Sequence, residues 1–235
     1  MSKKFTTRFK ERAADTLIEV MVALFVLTLG SLAATSLVVS SLQANTFSKD
    51  SLVAVNLAVE GIEAIRNIRD TNWIKFAYDK ENCWLMYPDK QAGDNCSGAN
   101  LIDTGYYSVD LNASTYAWEL TQVETDTGTG LNMEDGITST EERYQLFYID
   151  INAGVDSDGN GGANDDRDIY VSKAIYDSVP AQQVNGSKFY RAIFADLDGS
   201  GERMDVTSLV QWRAGNAVHQ IELISTLTNF NRVKI

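Results

Sequence analysis

Apolar residues are arranged in three different ways along this chain. From Val20 to Ser48 no residue is charged, and apolar side chains occupy every side of a helical wheel. The densest part, Leu17 to Leu42, exceeds the ~20 apolar residues that a helix needs to cross a bilayer. The next stretch, SLVAVNLAVEGIEAIRNIRDTNW, reads differently. Leu52, Val55, Val59, Ile62, Ile65 and Ile68 recur at helical spacing, which predicts an amphipathic helix with these residues on its buried stripe. Glu63 with Arg66, and Arg66 with Asp70, stand three and four apart and are placed to pair on its surface. Both prolines, Pro88 and Pro180, lie downstream. Nothing breaks the pattern between Asp15 and about Asn72, and Gly30 is its one weak point in the first half. A continuous helix of that length would be roughly 85 Å long at ~1.5 Å per residue.

After Trp73 the period changes to two. YYSVDLN, YAWELTQVE, RYQLFYID, DIYVSKAIY, KFYRAIFADLD, DVTSLVQW and VHQIELISTL are short and rich in β-branched and aromatic residues. Gly, Asn, Asp and Ser separate them, so each reads as a strand. Val206, Val210 and Trp212 share one face, as do Ile221 and Leu223, and RAGNA between them reads as a hairpin turn. DLDGSG at 196–201 reads as another turn. An antiparallel sheet with one apolar face needs a cover, and the amphipathic helix supplies one. The fold class expected is therefore α+β: a long N-terminal helix, first hydrophobic and then amphipathic, packed on a C-terminal antiparallel sheet. The segments are 1–14, a basic leader; 15–72, the helix, with an anchor over 17–42 and an amphipathic half over 49–72; and 73–235, the sheet domain.

Charge adds an orientation. The 235-residue chain carries a net −12, yet residues 1–14 hold Lys3, Lys4, Arg8, Lys10 and Arg12 against Glu11. A basic start before an apolar run keeps the N-terminus in the cytoplasm and sends the rest across. The acidic remainder repels phosphates, so direct nucleic-acid binding is not expected. Beyond a membrane a disulfide is permitted, and the two cysteines, Cys83 and Cys96, are close enough in sequence to form one. Closing that loop is worth roughly 3 kcal/mol in the chain-entropy model. Two free thiols are the alternative, while zinc is disfavoured because His219 is the only histidine.

The segment TLIEV at 16–20 opens the apolar run directly after the basic leader. Together with AVEGIEAIRNIRDTNW and VTSLVQWRAGNAVHQIELISTLTNF, it resembles the type IV pilin family, including the pseudopilins. The family pattern is a Gly, usually a Phe, then Thr-Leu-Ile-Glu-Val; here Ala14 and Asp15 stand in the first two places. The resemblance implies cleavage between Ala14 and Asp15 by a prepilin peptidase, methylation of the new amine, and a pilin-like fold. It implies a structural subunit, a minor pilin or pseudopilin, of a type IV pilus or related secretion or uptake filament. The implied partners are the peptidase, other pilin subunits, the assembly platform and the membrane. The implied location is the cytoplasmic membrane and then the cell-surface filament. Glu19 would be the fifth mature residue and would meet the amino terminus of a neighbouring subunit. A charge left unpaired at the bilayer centre costs about 2.5–3.5 kcal/mol on insertion scales, and less near the edge.

One further stretch carries candidate chemistry. In GVDSDGNGGANDDRDIY, Asp156, Asp158, Asn160 and Gly161 match the first half of an EF-hand-type loop. Arg167 occupies the twelfth position, where a bidentate Glu would stand, and Asp165, Asp166 or Asp168 would have to substitute. Calcium is thus a candidate ligand, and no cofactor is required. A membrane-anchored calcium-binding receptor or adhesin that never polymerises is the alternative reading. No enzyme is expected: there is no nucleophile elbow and no phosphate-cradling loop, and His219 falls on the strand face of Ile221 and Leu223. The aromatics Trp84, Tyr87, Tyr106, Tyr107, Trp118, Tyr144 and Tyr148 are expected mostly in the core.

Overall fold

The computed structural model describes residues 5–111, 117–124, 131–133, 141–150, 168–172 and 184–229. The chain divides into two compact units, Met1–Asp50 and Ser51–Ile235. Helix α1 spans Phe5–Lys75. It starts ten residues before the expected position and ends three after it, and Gly30 does not interrupt it. In the second unit, α1 is followed by a short helix α2 (Lys80–Cys83) and seven strands among the described residues. These are β1 (Gly105–Leu111), β2 (Trp118–Glu124), β3 (Gln145–Asp150), β4 (Asp168–Ser172), β5 (Val184–Leu197), β6 (Arg203–Ala214) and β7 (Ala217–Thr228).

All seven predicted strands are present, and every pairing is antiparallel. The 14-residue β5 organises the sheet. One of its edges pairs with β6 from Phe189 to Leu197, and β6 pairs in turn with β7. Its other edge is shared. The first half of β5 pairs with β3, which carries β4, and Ile193–Ala195 pair with β1, which carries β2. Both predicted hairpin turns form. Gly215 takes a positive φ between β6 and β7. Asp198 closes the β5–β6 turn by accepting from Ser200 Oγ, Glu202 N and Arg203 N. The hydrogen bond from Ser200, more than any other contact, holds the exposed Asp198 carboxyl below its usual range.

The helix half within the second unit covers one face of the sheet, as expected, but not through the expected stripe. Ile62, Ile65 and Ile68 are buried; Leu52, Val55 and Val59 are 64%, 36% and 43% exposed. The line that meets the sheet is Ala54, Ala58, Gly61, Ile65, Ile68 and Asn72, three or four residues apart. Leu57 and Ile62 flank it. Small residues win this line because they let the helix backbone approach the strands. A Cβ on Gly61 would lie 2.6 Å from Ile193 Cδ1 and 2.7 Å from Ser208 Oγ. Two clusters fill the interface. One joins Ile62, Ile65 and Ile68 to Trp84, Tyr107, Ile193, Val206 and Leu227. The other joins Ala54, Leu57 and Ala58 to Leu146, Phe189, Val210 and Trp212.

The sheet's second face is also covered in part, which the alternation did not predict. Leu131, Met133 and Tyr144 pack on Tyr190 and Ala192, the β5 residues that point away from the helix. Gln211 and Arg213 fasten this cover: Met133 N donates to Gln211 Oε1, and Arg213 Nη2 donates to Met133 O.

Two buried polar groups of the helix face behave oppositely. Arg191 is 5% exposed, yet its Nη1 donates to Leu57 O at 3.1 Å and its Nη2 to Val109 O at 2.8 Å. Glu60 lies 3.4 Å from the same guanidinium. Ser208 is fully buried, and its Oγ has no partner. Gly61→Ala is therefore expected to destabilise the fold by about 1–3 kcal/mol through overpacking. Ser208→Ala removes a buried hydroxyl that makes no hydrogen bond and is expected to be neutral or stabilising. Urea unfolding of the two single variants and the double variant checks this, and the double should be less destabilised than the sum of the singles because the sites touch.

Tyr107 gives a pH prediction. Its hydroxyl donates to Asp103 O at 2.8 Å beside Tyr87, and burial foremost pushes its pKa above the ordinary 10.0. A raised folded-state value means that stability present below pH 10 is lost as pH rises through the folded value. Tyr107→Phe is expected to remove part of this alkaline loss while costing about 1 kcal/mol at neutral pH. Unfolding midpoints from pH 7 to 11 measure both effects.

Candidate functional site

In the first unit, every described side chain from Thr16 to Lys49 is exposed. The helix contains one stretch long and apolar enough to cross a membrane. Within that stretch five hydroxyls turn back on their own backbone. Thr28 Oγ1 donates to Phe25 O, Ser31 Oγ to Thr28 O, and Thr35 Oγ1 to Ser31 O, all within 3.0 Å. Thr46 and Ser48 do the same with Leu42 O and Ala44 O. Such bonds leave little polarity for an apolar surrounding to accommodate. Glu19 differs from these hydroxyls in carrying a charge. From Thr16 to Ser48 it is the one ionisable side chain, and it stands among exposed Leu17, Ile18, Val20 and Met21 near the N-terminal edge of the run. Ala14 and Asp15 lie within α1 as backbone, and their side chains fall outside the described residues.

The surface pairs are half as expected. Glu63 and Arg66 form an ion pair, and Arg66 Nη2 also reaches Ser225 Oγ. Asp70 pairs with Arg69 rather than Arg66. Arg69 in turn stacks over Trp73, 4.6 Å from the ring centroid.

Of the candidate calcium ligands, Asp156, Asp158, Asn160, Asp165 and Asp166 lie outside the described residues. Asp168 is described only as backbone, opening β4 opposite Asp150. Among the described residues, no group of three or more His, Cys, Asp or Glu is placed to hold a metal ion. His219 sits on β7 opposite Trp212, their rings 5.5 Å apart, in the half-buried setting its strand position predicts. Trp84, Tyr107 and Tyr144 are buried, and Tyr87, Tyr106 and Trp118 pack against the core. The side chain of Tyr148 is outside the described residues.

Cys83 and Cys96 come together as a disulfide pair, with Cα atoms 5.0 Å apart. Cys83 is buried with Phe76 and Met86 in a small cluster at the end of α1. Asn72, the last residue of the helix's buried line, ties this segment down. Its Nδ2 donates to Trp84 O at 3.2 Å and Met86 O at 2.6 Å. Asn229, after β7, donates from Nδ2 to Glu81 O at 2.8 Å. Sequence reasoning missed Gly61, Arg191, Asn72 and Asn229. For Gly61 the available signal was the spacing of Ala54, Ala58 and Gly61, four and three residues apart in AVNLAVEGIEA; the other three gave none.

No family model matches the chain, nor does any curated protein or solved structure.

Replacing Cys83 and Cys96 together by Ser is expected to cost about 2–3 kcal/mol of stability in the second unit. Hydrogen exchange should place the loss at residues 76–102 and leave β6 and β7 protected. Uniform loss across the sheet would refute that local role.

Proposed function

We propose that this protein is a structural subunit of the type IV pilin class, a minor pilin or pseudopilin. The apolar part of α1 is inserted in the cytoplasmic membrane with the basic leader inside. The chain is cut between Ala14 and Asp15 by a prepilin peptidase, and the mature helix is passed to a filament through an assembly platform. In this reading the sheet unit is displayed outside, and the protein is not an enzyme. The observation that carries the reading is Glu19: one carboxylate, exposed, at the leading edge of an apolar helix that holds no other ionisable side chain from Thr16 to Ser48.

The chemistry follows from the dielectric. A carboxylate near the bilayer edge can reach headgroup water, so insertion of the single helix tolerates it. Packing several such helices side by side removes that water. The carboxylate then needs a cation, and a neighbour's newly made amino terminus, four residues from its own Glu19, is at the matching depth. The pair is favourable only when both members are present; deleting one leaves the other buried alone, at about 3–5 kcal/mol. Glu19 thereby fixes the axial register between helices that otherwise meet through interchangeable aliphatic side chains.

The test begins with the N-terminal peptide of the membrane-extracted protein, by mass spectrometry, in cells with and without prepilin peptidase. A peptide starting at Asp15 that disappears without the peptidase is expected. A peptide retaining Lys3 to Arg12 in both strains would sink the reading and leave a fixed anchor. In the processed protein, Glu19→Ala is expected to keep membrane insertion but to reduce incorporation into filaments more than tenfold, consistent with loss of a buried pair. Wild-type incorporation of Glu19→Ala would refute the pairing role.

A further inference from the structure

The sheet ends at β7 in a row of free backbone groups. Among the described residues β7 pairs with β6 alone, over 12 residues and without a register shift. Ala214 and Ala217 close the hairpin across a two-residue turn, so they exchange both of their ladder hydrogen bonds. The pattern alternates from there. Odd-numbered residues of β7 bond to β6, and Val218, Gln220, Glu222, Ile224 and Thr226 turn their N–H and C=O groups outward. Among the described residues no other backbone group meets them.

Natural sheet edges are kept short, bent by a bulge, or guarded by Pro or Lys. β7 has none of these devices. Its 12 residues exceed the usual ~5–6, and they include no Pro, Lys or Arg. The other outer strands are shorter, with 7 residues in β2 and 5 in β4, and the ladder that holds β2 shifts register.

The side chains along the edge say what would pair there. Tyr106, Phe194, Thr207 and Ile224 form one cross-strand row over β1, β5, β6 and β7. The rings of Tyr106 and Phe194 lie 4.7 Å apart and are half-buried, while Ile224, at the open end, is 68% exposed. Apolar neighbours across strands stabilise each other, so the next position in this row suits an apolar side chain. Two residues away on the same face, Glu222 is exposed, and among the described residues no cation pairs with it. The position beside it suits Lys or Arg. A second copy brings the same Glu222 and a net −12, which opposes self-pairing.

We propose that the outer edge of β7 accepts an antiparallel strand from another protein, with an apolar residue beside Ile224 and a basic residue beside Glu222. In the antiparallel sense the apolar residue comes first and the basic one two positions later. Backbone bonds supply the affinity of such strand addition, and alternate side chains supply the choice of partner. The proposal does not depend on filament assembly, because every residue it uses lies in the second unit.

The test uses the full-length protein in detergent micelles, followed by hydrogen exchange and by backbone amide resonances. In the free protein the even-numbered amides of β7 are expected to exchange at least about tenfold faster than the odd-numbered ones. The probe is the peptide acetyl-Thr-Thr-Val-Thr-Lys-Thr-Thr-amide. It is expected to shift and protect the even-numbered amides saturably and to leave the odd-numbered ones unchanged. Exchanging its Val and Lys, or introducing Glu222→Gln in the protein, is expected to weaken binding severalfold. Glu222→Lys is expected to lose this peptide and to bind the version with Glu in place of Lys. N-methylation of the Val and Lys nitrogens keeps both side chains and is expected to abolish binding. No saturable shift, equal binding of the N-methylated peptide, or indifference to the charge swap would overturn the proposal. Slow exchange of the even-numbered amides in the free protein would overturn it by showing the edge already covered. Protection that grows with protein concentration alone would also overturn it, by identifying a second copy as the occupant.

Discussion

The closeness of helix and sheet at Gly61 is the constraint on which the second unit depends. With no side chain there, the helix backbone settles onto Ile193 and Ser208, and the Arg191 Cδ would lie 3.3 Å from a Cβ at that position. The guanidinium then reaches the carbonyl of Leu57 in the helix and that of Val109 in β1. One buried cation thus joins the helix, β5 and β1. Burying it costs desolvation, which the two carbonyls and Glu60 offset. A larger residue at 61 would lift the helix and lengthen those bonds together. Hydrophobic contact supplies most of the interface, but this contact sets its spacing.

At the far end of the helix, two asparagines continue the same work in irregular chain. Asn72 and Asn229 offer their amide groups to carbonyls at Trp84, Met86 and Glu81. Those carbonyls lie in or beside the loop closed by Cys83 and Cys96, where no ladder could satisfy them. The disulfide holds the loop's ends, and the amides seat its first turn on the core. The backbone order there is therefore maintained by side chains rather than by regular structure.

Much of the fold was legible. The seven strands announce themselves by β-branched and aromatic content, and the β6–β7 hairpin by strict alternation around Gly215. The apolar segment and its carboxylate are plain in the sequence. The buried stripe of the amphipathic helix was not. Weighing aliphatic bulk put Leu52, Val55 and Val59 inward, whereas the packing line is chosen by the distance that Ala54, Ala58 and Gly61 permit. Periodicity locates a helix but does not say which of two mixed faces can come closest to a partner. Arg191 was hidden for a related reason: within KFYRAIFADLD a charge reads as an outward position, and only the facing carbonyls make it an inward one. The cover on the second sheet face was hidden because residues 131–133 carry no strand or helix pattern, and Tyr144 reads as the start of a strand rather than as part of a separate cover.

The shared edge of β5 has a mechanical meaning. The hairpin of β6 and β7 grips β5 from Phe189 to its end, while β3–β4 and β1–β2 hang from separate parts of the opposite edge. β1 is attached to β5 over only Ile193–Ala195. The sheet is thus a spine with two limbs joined to different parts of one edge. Loss of one limb leaves the spine's ladder intact, so openings are graded, with the limbs lowest in free energy and the β5–β7 spine highest. A pull applied along the chain would be borne first by the short β1 junction, and the spine would still hold the helix after that junction had parted.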